Sequence, residues 1–331
     1  MNTRKLGRTG PETSALGLGC MGMSGAYGPS DRAESVATIH AALDAGVTLL
    51  DTGDFYGMGH NELLLAEALK GRPRDSYQLS VKFGALRGPD QSWLGFDGRP
   101  EAAKTFLAYS LNRLGVDHVD VYRPARLDPN VPIEDTVGAI AEMVKAGYVR
   151  HIGLSEVGAD TLRRAAAVHP IADLQIEYSL ISRGPEDKIL PAARELGVAI
   201  TAYGVLSRGL LSGNWDRSKT GEGDWRSHSP RFQGANLDAN LALADALKVV
   251  ADAKGASVAQ VAIAWVAAQG DDIVPVIGAR RRDRLAEALG AGDLALGPDD
   301  LVAIERAVPK GAAAGDRYAT AQMAMLDSEK P

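Results

Sequence analysis

The chain has 331 residues, of which 45% are hydrophobic and 24% charged, a globular composition with enough length to bury a substantial core. Its formal net charge of -6 gives no electrostatic footprint for a nucleic-acid partner, and its one cysteine, Cys20, excludes an intramolecular disulfide framework and a cysteine-based metal centre. Met1 to Gly10 lacks the apolar stretch of a signal peptide and no apolar run has membrane-spanning length, so a cytoplasmic protein without a membrane partner is expected.

In chain order, short apolar runs rich in β-branched residues alternate with helix-period segments. The runs Thr13 to Gly19, Thr48 to Asp51, Tyr77 to Lys82 and His118 to Tyr122 read as the first four strands. Arg150 to Ser155, Asp173 to Glu177, Val198 to Tyr203 and Ile273 to Ile277 read as four more. Helical patterns fill the intervals. Asp31 to Ala45, Glu101 to Leu114 and Ile133 to Ala146 each stop at a glycine (Gly46, Gly115, Gly147), and Ala159 to Val168, Asp187 to Leu196 and Arg281 to Leu289 continue the rhythm. Eight strands alternating with helices predict an α/β fold of the (β/α)8 TIM barrel type. An open doubly wound sheet is disfavoured because polar residues close many strands rather than one crevice. The chain is expected to be one barrel domain over 1–331. It carries an N-terminal β-hairpin and two extra helices before the last strand, Leu237 to Ala253 and Ser257 to Ala268, with further helix at the C-terminus. The polar, Gly-rich segment 214–236 reads as a mobile lid. The tail 309–331 reads as loosely ordered, with Tyr318, Met323 and Met325 available to dock over a pocket.

Two strand ends carry chemistry. Leu49-Leu50-Asp51-Thr52-Gly53-Asp54-Phe55-Tyr56-Gly57 and Ser80-Val81-Lys82-Phe83-Gly84 together offer an aspartate, a tyrosine and a lysine. A phenol titrates near ~10, an adjacent ammonium favours its phenolate, and a carboxylate holds the ammonium in place. Gly17-Leu18-Gly19-Cys20-Met21-Gly22 matches a dinucleotide fingerprint in letters only. The next helix waits for Asp31, so no helix N-terminus follows the glycines to receive a pyrophosphate. Metal binding has no support in the spacing of His, Cys and carboxylates.

With these pieces placed, the sequence resembles the aldo-keto reductase superfamily, in particular its bacterial branch related to potassium-channel β subunits. The motifs that carry the likeness are Leu18 to Met23, Asp51 to Gly57, Val81 to Gly84, His151 to Ser155, and Arg208 to Gly213. The resemblance implies reversible carbonyl reduction with NADPH/NADP+ on a small carbonyl substrate. It implies Tyr56 as general acid, Lys82 as the residue that lowers its pKa, and Asp51 as the lysine's partner. For the cofactor it implies Ser155 and Gln175 on the nicotinamide carboxamide, with Glu156 where many relatives have asparagine. Tyr203 is implied as the stacking ring, and Gly22 and Met23 lie beside the nicotinamide ribose. Gly204, Leu206, Ser207, Arg208 and Gly209 form the pyrophosphate loop. Beyond the last strand, Gly278 opens the segment in which Arg280 and Arg284 hold the adenosine 2′-phosphate and Glu287 the adenine. This arginine cluster implies a preference for NADPH over NADH.

One family feature is missing. Relatives carry a histidine after the fourth strand; in Tyr122-Arg123-Pro124-Ala125-Arg126-Leu127-Asp128-Pro129 its position holds Ala125. Losing such a donor costs on the order of 10²–10³ in rate, so simple aldehydes are expected to be poor substrates. Three readings follow: a reductase of bulkier or more reactive carbonyls, a C=C reductase, or an NADPH-binding sensor or regulatory subunit of low turnover. Retention of Asp51, Tyr56 and Lys82 argues against the last. Met23, Tyr27, Phe55, Trp93, Arg123 and Arg126 are pocket candidates, with Arg123 favouring an anionic substrate if it points inward. The oligomeric state stays open.

Overall fold

The computed structural model describes residues 1–90, 92–215 and 224–330. Twelve strands are present among them. Strands β1 (Thr3–Lys5) and β2 (Glu12–Ser14) form an antiparallel hairpin, and β6 (Ala85–Arg87) and β7 (Trp93–Phe96) form another. The remaining eight close into a parallel barrel: β3 (Gly17–Gly19), β4 (Leu49–Gly53), β5 (Gln78–Phe83), β8 (Val119–Pro124), β9 (Val149–Ser155), β10 (Ile171–Glu177), β11 (Ala199–Tyr203) and β12 (Ile273–Gly278), with β12 pairing back onto β3. The (β/α)8 barrel of the sequence pattern is therefore the fold. Two differences stand out. The predicted first strand is two elements, because Ser14 turns out of the hairpin to bond the Leu16 carbonyl (2.7 Å) and the Thr48 amide (2.9 Å). A helix absent from the prediction, His60–Leu69, follows β4; it starts after three residues of positive φ, Gly57, Met58 and Gly59, which hide its N-terminus from a periodicity reading.

Side chains alternate across each strand, so every second residue enters the lumen. The lowest layer is apolar: Leu49, Val121, Ala199 and Val274 cluster with Leu6 from the turn of the first hairpin, which plugs the barrel floor. Gly7 makes this plug possible. Its φ is +67°, and a Cβ there would meet the Ala172 carbonyl oxygen at 2.4 Å. Higher in the lumen β5, β8, β10 and β11 present Ser80, Arg123, Asp173 and Thr201, all buried. At the C-terminal mouth β4, β5 and β10 present Asp51, Lys82 and Gln175. The outward-facing set, including Leu18, Leu50, Val81, Leu154 and Ile200, packs beneath the helices.

The two extra helices stand before β12, at Gly234–Ala253 and Val258–Ala267, the second started by a Ser257–Gln260 capping box. No single helix among the described residues is long and apolar enough to cross a membrane. The expected lid partly falls on 216–223, outside the described residues. Its remainder is held, with Asp224 gripping Arg226 through both oxygens. The tail departs from the loose order expected of it: Arg317, Leu326 and Asp327 are buried, and Asn240 bonds both the amide and the carbonyl of Ala314.

Candidate active site

The mouth of the barrel gathers the residues singled out on two strand ends. The Lys82 ammonium donates to Asp51 Oδ2 at 2.6 Å and to Gln175 Oε1 at 2.9 Å. Gln175 in turn donates to Asp51 Oδ1 at 2.8 Å, closing a ring of three side chains. Ser80 adds a third contact to Asp51 at 3.1 Å. Each group comes from a barrel strand, so the ring has rigid support. Lys82 Nζ also lies 5.2 Å from the centre of the Tyr56 ring. Burial holds the Lys82 ammonium below its ordinary range while Asp51 works to keep it charged. Burial, then the Asp51 charge, push the Tyr56 phenol well up, and among its neighbours Arg126 pulls it down. A phenol held up in this way is protonated at neutral pH, the form in which it can give a proton.

Below the ring, Arg123 points inward, but into the sealed lumen rather than toward a pocket. It pairs with Asp173 at 2.9 Å and donates to Ser80 (2.8 Å) and Thr201 (3.1 Å), both ionic side chains being wholly buried. It is therefore a structural cation.

Above the ring lies a cavity of about 670 Å³, walled by Phe55, Tyr56, Trp93, Ala125, Arg126 and Met325 among others. Ala125 is buried beside it, its amide bonded to the Phe83 carbonyl, and offers no polar side chain. Arg126 Nη1 donates to the Ala125 carbonyl at 2.6 Å and, at 3.4 Å, to the Ser155 hydroxyl. Tyr318 and Met325 of the tail line this cavity; Met323 does not.

The other predicted positions are distributed around the mouth. Tyr203 donates its hydroxyl to Glu156 at 2.8 Å and meets the Tyr318 hydroxyl at 3.0 Å. Glu156 does not reach into the open site. It adopts a positive φ of 55° and takes Arg317 at 2.6 and 3.0 Å and the Ser328 hydroxyl at 2.6 Å. Burial would raise its carboxyl, but Arg317 holds it well below the usual range. Arg208 turns inward to Glu177 at 2.7 Å and to the Arg317 carbonyl at 2.8 Å. Ser207 and Arg208 have φ of 47° and 59°, and Gly204 and Gly209 are also left-handed, so the 204–209 loop is a strained concave turn. Leu206 stands between them as the residue before this short helical turn. Met23 packs into the core, whereas Gly22 lies against the Tyr27 ring. Arg280 donates to the carbonyls of Tyr27, Gly28 and Pro29. Arg284 and Glu287 pair with each other at 2.9 Å, and Gly278 is exposed at the end of β12. Arg126, Arg226 and Arg317 complete the site without having stood out as cofactor or catalytic residues in the sequence. Arg126 had been noted only as a pocket candidate.

The profile described as Aldo/keto reductase family matches residues 15–309. A probable aldo-keto reductase of Glycine max is 42% identical over 317 residues, 95% of this chain and 91% of its own length. The chain belongs to the aldo-keto reductase family. Solved relatives include a glycerol dehydrogenase from Gluconobacter oxydans, 29% identical with a TM-score of 0.84 over 92% of this chain and 94% of that one. An aldo-keto reductase from Bacillus halodurans, in its holo form, is 26% identical with a TM-score of 0.78 over 93% and 96%. A thermostable aldo-keto reductase solved with the inhibitor epalrestat is 28% identical with a TM-score of 0.75 over 93% and 100%.

Membership makes this reductase an oxidoreductase of small carbonyl compounds that uses a nicotinamide cofactor. Its mouth fits such a group at Arg280. Arg280 has no carboxylate hydrogen-bonded to it among the described residues, is desolvated, and faces the like charge of Arg226, with Asp224 as the counter-charge. A phosphate-bearing ligand suits that donor set.

Proposed function

We propose that this aldo-keto reductase reduces an aldehyde or ketone to an alcohol with NADPH, with Tyr56 as the proton donor. The observation that carries the reading is the Asp51–Lys82–Gln175 ring beside the Tyr56 phenol at the C-terminal mouth of the barrel. Ser155, Gln175 and Tyr203 would hold the nicotinamide end, Gly22 and Met23 its ribose, and the 204–209 loop the pyrophosphate. Gly278, Arg280, Arg284 and Glu287 would hold the adenosine end. When bound, the nicotinamide supplies the hydride. The protein supplies the rest. Tyr56 gives its proton to the substrate oxygen as negative charge develops there, and the buried ammonium of Lys82 stabilises the phenolate left behind. Asp51 keeps Lys82 charged against the cost of burial. Arg280, with no carboxylate hydrogen-bonded to it among the described residues, would favour the additional phosphate of NADPH over NADH.

Turnover of a carbonyl panel with each reduced nicotinamide, in the parent and in Tyr56→Phe, tests the reading. Removing the phenol proton should lower kcat by about 10²–10⁴. NADPH binding, followed by fluorescence, should stay intact and tighter than NADH binding. Undiminished turnover in Tyr56→Phe would refute the proton-donor role.

A further inference from the structure

The cavity above Tyr56 has an uneven charge. Its formally charged lining residues are Arg87 and Arg126, and no carboxylate lines it among the described residues. The rest of the wall is largely apolar, with Phe55, Trp93, Phe96 and Met325. Of the two, Arg126 is the one whose charge is felt at the Tyr56 phenol. Its Nη1 is taken by the Ala125 carbonyl and the Ser155 hydroxyl. Its Nε and Nη2 have no acceptor among the described residues, and neither atom is sealed away inside protein. Glu156, the carboxylate whose charge reaches Arg126, is hydrogen-bonded to Arg317, Ser328 and Tyr203 instead. A half-buried guanidinium thus presents one edge, two parallel N–H donors, to a cavity it shares with the Tyr56 phenol.

That edge matches two oxygens on adjacent or geminal positions, the geometry of a carboxylate or of a carboxylate beside a ketone. We infer that Arg126 is the substrate-anchoring residue of this reductase and that the pocket takes 2-oxo acids with an apolar body. The inference rests on the reading of Tyr56 as proton donor. The carboxylate lies on the guanidinium edge, which turns the neighbouring keto oxygen toward the Tyr56 hydroxyl. A substrate held in this way brings its own orienting group, which replaces the donor absent at Ala125. In the reduction the keto carbon gains the hydride and its oxygen gains the Tyr56 proton, while the nicotinamide is oxidised. Arg126 exchanges neither proton nor electron; it holds oxygen atoms.

The test uses enzyme saturated with NADPH and three aryl probes: phenylglyoxylate, the neutral dione 1-phenylpropane-1,2-dione, and propiophenone. The parent should favour phenylglyoxylate over both neutral ketones in kcat/KM. Two charge-assisted hydrogen bonds correspond to a preference of about a hundredfold, which Arg126→Met should bring close to one whatever the absolute rates. Arg126→Lys should restore part of it, since an ammonium keeps the charge but not the fork. Titrating phenylglyoxylate into the NADP+-loaded protein gives a second readout that needs no turnover; binding should weaken by a similar factor in Arg126→Met. A parent that favours the dione or propiophenone overturns the inference, and so does a preference that survives Arg126→Met and Arg126→Lys. If Tyr56→Phe leaves turnover intact, the proton-donor reading itself has failed. If Tyr56→Phe is inactive while the Arg126 variants keep the preference, only the anchoring inference has failed.

Discussion

Two buried ionic networks meet in this protein, and they are built differently. The lumen network runs from Asp173 and Arg123 through Ser80 to Asp51, Lys82 and Gln175. Every member stands on a barrel strand, and strand register together with closure of the barrel brings them together across the lumen. The mouth network joins Glu156 and Glu177 to Arg208, Arg231 and Arg317. Its members come from a strand end, the loops after two strands, and the tail. The contrast separates a site floor whose geometry is inherited from the sheet from a site rim that exists only when the tail is seated.

Breaking the lumen should have the largest effect. Arg123→Met leaves Asp173 buried without its cation, a loss of roughly 3–5 kcal/mol in stability. Urea denaturation should show one cooperative transition at a lower midpoint, because no part of the barrel can release Asp173 by itself. Breaking the mouth should be milder and local. Arg317→Met removes charged hydrogen bonds worth roughly 1.5–3 kcal/mol each to Glu156, and part of that is recovered as the tail lifts and water reaches the carboxylate. Limited proteolysis should then cut within 309–330 while the barrel remains folded. Simultaneous loss of both regions would show that the two networks are one unit.

The smallest effect sharpens the same contrast through pH. Glu156 is held below its unfolded value, near ~4.3, so its stabilisation is complete above that pH and fades as pH falls toward the folded value. Asp173 has the opposite sign. Burial raises it, although Arg123 opposes the shift, so its contribution fades as pH rises through its folded value. Thermal melts from pH 6 down to pH 3 should therefore fall less steeply in Glu156→Gln than in the parent. Parallel slopes would mean that Glu156 is not held low by Arg317.

The contrast also marks what could be read from the chain. The barrel was legible because alternation places Asp51, Lys82 and Gln175 on the inward face at the polar ends of apolar strands. Ala125 and Arg126 could be aligned by the Asp128-Pro129 turn, but not the spare edge of the Arg126 guanidinium, which depends on which carbonyl takes Nη1. Arg317 gave no signal. It is a lone cation in an Ala- and Gly-rich stretch, and its partner Glu156 lies 161 positions away. Helix His60–Leu69 was hidden for a local reason: left-handed Met58 and Gly59 replace the usual polar cap.

The seating of Arg317 and Ser328 on Glu156 also sets an order of assembly. The barrel can close once β12 has been made and pairs with β3. The rim then waits for about fifty more residues, which a ribosome adding ~5–20 residues per second supplies over several seconds. During that interval a nascent chain has its Asp51–Lys82–Gln175 floor but an open rim, with the Glu156 carboxylate lacking its Arg317 and Ser328 partners. Closure of the rim over Glu156 is thus tied to residues made after the barrel strands.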